Sequence, residues 1–456
     1  MKYKFPNDFV WGVATSSFQI EGATQIDGRG PSIWDTMCDE AGRIADGTNG
    51  HIACDHYHRY EEDADIMANL GIPSYRFSVA WPRILPNGVG QVNESGLDFY
   101  DRLVDALLKR GIEPCMTLYH WDLPQALEDR GGWTERMIVD AFVNYTDVVT
   151  RRLGDRLGSI ITHNEPWCIS VLGYVNGEHA PGIKQDWNKA LRCAHHLNVS
   201  HGMAMPVIRQ NAPNALAGIT INLCPNEPAS DSDADREATR KFDGFFNRWY
   251  LDPIFRGTYP QDRIEDLVAD GTLNEPSLDF VKPGDMDICK TPVDFLGINY
   301  YSRAVIRSDA VKDEENDPVL RVQDGPRTDM NWEVHPESLE RLLVRLKDEY
   351  APERIIITEN GAAYPTGVSD DGKVHDQERI DYFRGHLVSC AKAIEQGVPL
   401  TGYYAWSLMD NFEWAFGYEK RFGLVHVDYD TLVRTPKESA KYYASVIAQN
   451  EVSDEE

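Results

Sequence analysis

The chain has 456 residues, 42% of them hydrophobic and 11% aromatic, which predicts a globular protein with a large core and excludes a disordered one. Its 73 Asp and Glu residues exceed its 45 Lys and Arg residues, so the formal net charge is -28. An acidic surface repels nucleic-acid phosphates and anionic lipid headgroups, and we therefore expect no nucleic acid and no membrane among its partners.

The sequence begins MKYKFPND, without the apolar stretch of a secretory signal. Eight cysteines are scattered singly with no C-x-x-C pair, which is typical of free thiols in a reducing compartment. We therefore expect a cytoplasmic protein. No linker or low-complexity segment divides the chain, so residues 1–456 are predicted to form a single domain whose acidic tail frays after about residue 449. The oligomeric state stays open, and a homo-oligomer is compatible with the sequence.

Short apolar runs alternate with segments of helical periodicity along the chain. The predicted strands are 9–14, 74–80, 113–119, 159–163, 217–222, 293–299, 354–358 and 400–405. The predicted helices are 56–70, 96–110, 134–153, 186–209, 336–349, 376–396 and 436–448. This alternation predicts an α/β protein with a parallel sheet, and eight such units can close into a (β/α)8 TIM barrel. An open doubly wound sheet is the alternative. Segments 22–55 and 302–335 are predicted to be rim-loop insertions.

Polar and aromatic side chains gather where the predicted strands end. They are Gln19, Arg76, His120, Trp121, Asn164, Glu165, Asn222, Asn299, Tyr301, Glu359, Asn360 and Trp406. The carboxyl ends of barrel strands converge on one face, where TIM-barrel active sites are built. This distribution favours the barrel over the open sheet.

Several motifs for metals and cofactors fail on inspection. The run Asp231, Asp233 and Asp235 opens like a calcium loop but lacks the required Gly and Glu. The histidine pairs lack partners at metal-binding spacing, and no Gly-rich phosphate loop is present. The sequence therefore predicts no metal and no cofactor.

Two glutamates stand at strand ends, Glu165 in THNEP and Glu359 in TENG. One such glutamate would most simply be a cap or an ion-pair partner. Two of them, each beside an asparagine and both at one barrel mouth, form the carboxyl pair that glycoside hydrolysis requires.

The motifs around these glutamates identify a family. The chain resembles the family 1 glycoside hydrolases of the β-glucosidase type from Phe9 to about Tyr443. The matching segments are FVWGVATSSFQIEG, YRFSVAWPRI, LYHWDLP, THNEP, GINYYS, ITENG and YAWSLMDNFEW. This resemblance implies a retaining, cofactor-free hydrolase with Glu165 as acid/base and Glu359 as nucleophile.

Two neighbours should keep the nucleophile ionised, because Arg76 and Tyr301 can donate hydrogen bonds to the Glu359 carboxylate. We therefore expect a low pKa for Glu359. Glu165 should hold its proton until Glu359 is esterified.

The resemblance also assigns the sugar-binding positions. Asn164 matches the group that bonds the sugar 2-hydroxyl, and Asn299 is expected to support the nucleophile and the transition state. The remaining sugar pocket is expected to comprise Gln19, His120, Trp121, Asn222, Trp406, Glu413, Trp414 and Phe422. The aglycone entrance is expected to comprise Trp167, Leu172 and Trp332. A cis peptide bond is expected between Trp406 and Ser407.

The expected substrates are cello-oligosaccharides and aryl β-glucosides, cleaved at the terminal non-reducing β-D-glucosyl residue, with some activity on β-galactosides and β-fucosides. Two alternatives remain. A 6-phospho-β-glucosidase would carry Ser at the position of Glu413 and Tyr at that of Phe422, with a phosphate-binding Lys at 420. A non-catalytic glycan-binding relative would lack one glutamate of the pair.

Overall fold

Eight parallel strands close into a barrel in the computed structural model, which describes residues 1–308, 319–320 and 325–455. The barrel strands are β1 (Val10–Ala14), β2 (Ser74–Ser78), β3 (Glu113–Tyr119), β4 (Ser159–Asn164), β5 (Leu216–Asn222), β6 (Phe295–Asn299), β7 (Ile355–Asn360) and β8 (Leu400–Trp406). Each strand pairs with the next along the chain, and β8 pairs with β1 to complete the ring. The predicted TIM barrel is thus confirmed, and the open sheet is excluded.

The strands read as nearly continuous apolar runs because both of their faces are covered. Every residue of β2, β4, β6 and β7 is buried. A parallel strand in this setting packs one face on the barrel interior and the other on the surrounding helices. Polar residues in such strands therefore need partners inside the barrel.

Helices surround the barrel at all seven predicted places, with bounds close to expectation. The α-helices are Ser17–Ile20, Ile33–Asp39, His56–Asn69, Trp81–Ile84, Glu94–Lys109, Gln125–Glu128, Met137–Leu153, Trp187–Asn211, Asp233–Asp243, Trp249–Phe255, Gln261–Ala269, Asp285–Cys289, Pro336–Tyr350, Gln377–Glu395 and Glu438–Gln449. Shorter helical turns are Gly132–Thr134, Gly154–Arg156 and Trp414–Phe416, and two π-helices span Cys168–Asn176 and Gly244–Arg248. Within the described ranges, no helix has both the length and the apolar character to cross a bilayer.

The connection between β5 and β6 differs from the usual single helix. It contains four α-helices between residues 233 and 289, none of which the sequence pattern predicted. Their signals are weak because the segments are short and Pro253 interrupts one of them.

The two predicted rim insertions lie beside the barrel mouth. Segment 22–55 contacts the turn after β8, where the Ala45 amide donates to the Ala415 carbonyl at 2.8 Å. In segment 302–335, Ala304–Ile306 pairs with Asn226–Pro228 and with Val319–Leu320 in a small sheet. Residues 309–318 and 321–324 of this predicted insertion lie outside the described residues.

The expectation of a tail that frays after residue 449 is wrong for residues 451–453. Glu451–Ser453 forms an antiparallel pair with Lys2–Lys4 near the amino terminus. Val452 and Tyr3 are buried opposite each other, and the Lys2 ammonium lies 2.6 Å from the Glu451 carboxylate. Apolar burial and opposite charges thus hold the segment that its acidic composition suggested would be free.

The loop after β8 is fixed by a buried ion pair. Asp410 and Lys437 are both fully buried, with Lys437 Nζ 2.7 Å from Asp410 Oδ1. Arg421 Nη1 donates to Asp410 Oδ2 at 2.8 Å, and the Gly423 amide donates to Asp410 Oδ1 at 2.9 Å. This network ties the loop to the start of the last helix, Glu438–Gln449.

We expect Lys437→Met to lower the free energy of unfolding by about 3 kcal/mol, because removing one partner leaves a buried carboxylate short of a cation. Lys441→Met, at an exposed site in the last helix, is the control and should change it by less than about 0.5 kcal/mol. Urea unfolding followed by tryptophan fluorescence gives both values. Equal effects of the two substitutions would contradict a supporting role for the ion pair.

Candidate active site

The carboxyl ends of the barrel strands bring the two glutamates of the sequence analysis to one polar centre. Glu359 lies within β7, whereas Glu165 follows the last residue of β4. Both side chains are buried, at 3% and 5% exposure. Their environments differ, and the difference determines what each carboxyl group can do.

Glu359 is held by two strong donors. Arg76 Nη1 on β2 donates to its Oε1 at 2.7 Å, and the Tyr301 hydroxyl donates to its Oε2 at 2.6 Å. A guanidinium and a hydroxyl donor both favour the ionised carboxylate. These two donors therefore orient the Glu359 carboxyl group and favour its ionised form.

Glu165 has weaker partners and a strained backbone. Asn299 Nδ2 donates to its Oε1 at 2.6 Å, and the Cys168 thiol donates to its Oε2 at 3.0 Å. The backbone φ of Glu165 is +55°, a left-handed value uncommon for a residue with a side chain. Among the hydrogen bonds of the described residues, none to this carboxyl group comes from a cation. The neutral form of Glu165 is therefore less unfavourable than the neutral form of Glu359.

The pKa values follow these contacts. Burial raises the pKa of Glu165 to about 7, and the negative charge of Glu359 adds to the rise. Burial also raises the pKa of Glu359, while Arg76 and Tyr301 oppose the rise. The low pKa expected for Glu359 is therefore wrong, because desolvation outweighs its two donors.

Asn164 connects the two carboxyl groups. Its Oδ1 accepts hydrogen bonds from Arg76 Nη2 at 2.6 Å and from Asn299 Nδ2 at 3.0 Å, and its Nδ2 lies 3.1 Å from His120 Nε2. Burial and the Arg76 charge hold the pKa of His120 well below its usual range, so the imidazole is neutral and can accept from Asn164.

A second polar wall contains Gln19 and Glu413. Gln19 Nε2 donates to Asn411 Oδ1 at 2.9 Å, to the Phe412 carbonyl at 2.8 Å and to Glu413 Oε2 at 3.3 Å. Burial and the Glu359 charge raise the pKa of Glu413 to about 8, although the Gln19 hydrogen bond opposes the rise. Both side chains carry groups that can bond the hydroxyls of a sugar.

Aromatic rings pack beside the polar residues of the site. The His120 ring is nearly parallel to Trp406 and Trp414, with centroids 5.9 and 6.0 Å away. Trp121 contacts Trp414 at 4.6 Å, and its indole nitrogen donates to the Asn164 carbonyl at 2.8 Å. The expected cis peptide bond between Trp406 and Ser407 is confirmed.

The three residues predicted for the aglycone entrance, Trp167, Leu172 and Trp332, are all half-buried. The centroid of the Trp332 ring lies 5.4 Å from that of Tyr301 and 6.2 Å from that of Phe422. Trp167 and Leu172 lie on the segment that follows Glu165. The Trp167 ring packs on Phe246, with centroids 4.3 Å apart.

Several buried polar atoms at the pocket have no hydrogen-bond partner among the described residues. They are His120 Nδ1, Asn222 Oδ1 and Trp167 Nε1. Buried polar groups are normally paired, so such atoms indicate where a polar ligand can bind. A group of three His, Cys, Asp or Glu side chains suited to a metal ion was not found in the part of the chain that is described.

Sequence reasoning missed three residues that support the site: Cys168 on Glu165, Asn411 on Gln19, and Phe246 on Trp167. Cys168 is three residues from Glu165, a spacing at which helical side chains can meet, and that signal was available. Phe246 lies in the unpredicted helical region after β5, so nothing in the sequence linked it to Trp167.

Comparison with known proteins agrees with this geometry. The sequence model of Glycosyl hydrolase family 1 matches residues 1–452. Beta-glucosidase A of Acetivibrio thermocellus is 46% identical over 98% of this chain and 99% of its own. A Bifidobacterium breve protein named bifunctional beta-D-glucosidase/beta-D-fucosidase is 43% identical over 98% of each chain. The structure of a family 1 β-glucosidase from Thermotoga maritima superimposes with a TM-score of 0.94, at 45% identity over 99% of each chain.

Proposed function

Because the chain belongs to glycosyl hydrolase family 1, we propose that it is a retaining β-glucosidase acting on cello-oligosaccharides and aryl β-glucosides. The observation that carries the proposal is the contrast between two buried glutamates, Glu359 bonded by Arg76 and Tyr301 and Glu165 bonded by neutral donors. One carboxyl group is thereby suited to attack and the other to proton transfer. Relatives of similar length carry the β-glucosidase name.

In the first step, a Glu359 oxygen attacks the anomeric carbon while Glu165 gives its proton to the departing glycosidic oxygen. The C–O bond to the aglycone breaks, its electron pair stays on that oxygen, and a glycosyl ester forms on Glu359. As this bond forms, Glu359 loses the negative charge that Arg76 and Tyr301 stabilise, and Asn164 would bond the 2-hydroxyl in the transition state.

In the second step, Glu165 acts as a base. Esterification removes the negative charge of Glu359, which lowers the pKa of Glu165 and leaves it ionised. It then takes a proton from a water molecule that attacks the anomeric carbon, and Glu359 departs as a carboxylate. The two inversions together retain the β configuration.

We assign sugar recognition to polar side chains of the site and to the aromatic rings beside them. Gln19, His120 and Glu413 would bond the hydroxyls, while Trp406 would stack on the sugar ring. Carboxylate and amide groups can bond an axial or an equatorial 4-hydroxyl, so we also propose some activity on β-galactosides and β-fucosides. The name of the Bifidobacterium breve relative supports the β-fucoside activity.

The 6-phospho-β-glucosidase alternative is disfavoured by three residues. Glu413 stands where this alternative requires Ser, and Phe422 lacks a hydroxyl to bond a phosphate. Lys420 is already engaged, with Nζ 3.1 Å from the Asp329 carboxylate and 3.0 Å from its carbonyl oxygen. The alternative of a non-catalytic glycan-binding protein is disfavoured because both glutamates are present.

The cellular setting is part of the proposal. We propose that residues 1–456 work as one cytoplasmic catalytic domain that needs no cofactor and takes part in cellulose degradation by cleaving imported or released cello-oligosaccharides. The free, mostly buried cysteines support the reducing compartment.

A panel of nitrophenyl glycosides tests the substrate assignment. We expect 4-nitrophenyl β-D-glucoside to be cleaved with β-fucoside and β-galactoside as lesser or comparable substrates, and 4-nitrophenyl 6-phospho-β-D-glucoside to be a poor one. Michaelis–Menten kinetics on purified protein give kcat/KM for each. Preference for the phosphorylated sugar would overturn the assignment, and no turnover of any glycoside would favour the binding protein.

Chemical rescue separates the two glutamates. Glu359→Gly should abolish hydrolysis, and azide should restore turnover with an α-glycosyl azide product, since the anion attacks from the vacated face. Glu165→Ala should lower cellobiose cleavage by about 10² to 10⁴ but spare the formation of the glycosyl ester from a dinitrophenyl glucoside. Azide should then give the β product. NMR of the products decides the question, and the same anomer from both variants would refute the roles.

The pH dependence follows from the proton on Glu165. Since the acid must be protonated and burial raises its pKa to about 7, kcat/KM should fall as the pH rises through about 7. In Glu165→Ala, a dinitrophenyl glucoside needs no proton to react, so this alkaline decline in the first step should disappear. An unchanged alkaline decline in that variant would assign the titration to another group.

A further inference from the structure

Cys168 contacts the proposed acid/base directly. Its Sγ lies 3.0 Å from Glu165 Oε2, on the oxygen opposite the one that Asn299 Nδ2 bonds. Cys168 is the first residue of the π-helix Cys168–Asn176 and is 7% exposed. Burial and the nearby Glu165 charge raise the pKa of the thiol well above its usual range, so the sulfur keeps its proton.

The sulfur is oriented by a second residue. Asn222 Nδ2, at the end of β5, lies 3.6 Å from Cys168 Sγ and can donate to it. Asn222 Oδ1 has no partner among the described residues. With an N–H directed at the sulfur from one side, the S–H bond is free to point at Glu165. Asn222, Cys168 and Glu165 thus form a chain of contacts that begins at the end of β5.

The two oxygens of Glu165 then have unequal roles. The Asn299 amide nitrogen only donates, so it favours a carbonyl-like Oε1, and the proton of the neutral acid belongs on Oε2. A thiol is a weak donor and a weak acceptor. It can therefore donate to ionised Oε2 and accept from that oxygen when Oε2 carries the proton. An ammonium or guanidinium partner would bind only the ionised state.

We propose that Cys168 is a positioning residue for the acid/base, whose thiol holds Glu165 Oε2 in both protonation states and favours the ionised form through its S–H donor. This inference rests on the proposed function. A plain packing role, in which the sulfur only fills space beneath Glu165, is the alternative that the test must separate.

Other charged and titratable groups also face Glu165, and they stay unchanged in the test. They are Glu359 on β7, Arg76 on β2, Tyr301 after β6 and Glu413 after β8, with Glu178 near the thiol itself. Their common influence sets the baseline of the pH profile. A difference between Cys168 variants therefore reports on the thiol alone.

The test compares Cys168→Val, which removes the donor, with Cys168→Ser, which keeps one. For Cys168→Val, the alkaline limb of kcat/KM on an aryl β-glucoside should move upward by about half a pH unit, because the ionised acid loses a hydrogen bond. Cys168→Ser should stay within about two tenths of a unit of the wild-type limb. Cys390→Val, at a fully buried cysteine in Gln377–Glu395, is the control and should leave the limb unmoved.

A second measurement protects the result from a general loss of structure. In a Glu165→Ala background with a dinitrophenyl glucoside, Cys168→Val should cause no further pH shift, because the carboxyl group it acts on is gone. If Cys168→Val does not fold, Cys168→Ala replaces it with the same expectation. Equal shifts for Val and Ser, no shift for Val, or the same shift for Cys390→Val would each overturn the proposal. Wild-type protein without β-glucosidase activity would instead refute the proposed function, before any variant is compared.

Discussion

One buried guanidinium organises the barrel mouth. Arg76 is fully buried, and its nitrogen atoms donate to Glu359 Oε1, the Thr358 carbonyl, Asn164 Oδ1 and Thr117 Oγ1. A charge removed from water is tolerated only when its donors are satisfied, so the fork of Arg76 fixes the relative positions of β2, β3, β4 and β7. The side chains of the site are placed by this requirement as much as by the barrel itself.

The same guanidinium determines which carboxyl group ionises. Two buried glutamates facing one pocket repel each other when both are charged, and desolvation penalises both. Arg76 donates to Glu359 and is connected to Glu165 through Asn164 and Asn299, so it favours the negative charge on Glu359 over that on Glu165. The contrast in partners thus turns two identical side chains into groups with opposite tendencies. Glu413, a third buried carboxyl group, feels the Glu359 charge as well, which keeps the pocket from accumulating negative charge.

The sequence predicted most of the barrel because its signals are local. The apolar runs of β3 and β8 and the polar residues at their ends are legible without knowledge of the fold. Features that depend on distant partners were missed. The tail pairs with Lys2–Lys4 through Val452 and Tyr3, which are far apart in sequence. The pKa of Glu359 was expected to be low because its donors could be inferred, whereas the extent of its desolvation could not.

The orientation of the two glutamate side chains depends on irregular strand pairing that no residue pattern reveals. The register between β4 and β5 shifts between Ile161 and Asn164, and that between β7 and β6 shifts between Ile357 and Glu359. Such irregularities redirect the side chains that follow them, and they recur beside active sites. In Glu165 the redirection includes the left-handed backbone at φ +55°, a conformation that costs free energy and persists only where surrounding contacts enforce it. The Glu165 amide is bonded to the Thr220 carbonyl at 2.9 Å, so β5 holds the strained residue in place. Glu359 lies within β7 and its carboxyl group is oriented by Arg76, whereas Glu165 follows the end of β4 and is oriented by its backbone. The side chain that we propose exchanges a proton in two directions is thereby oriented without a cation that would bind only its charged form.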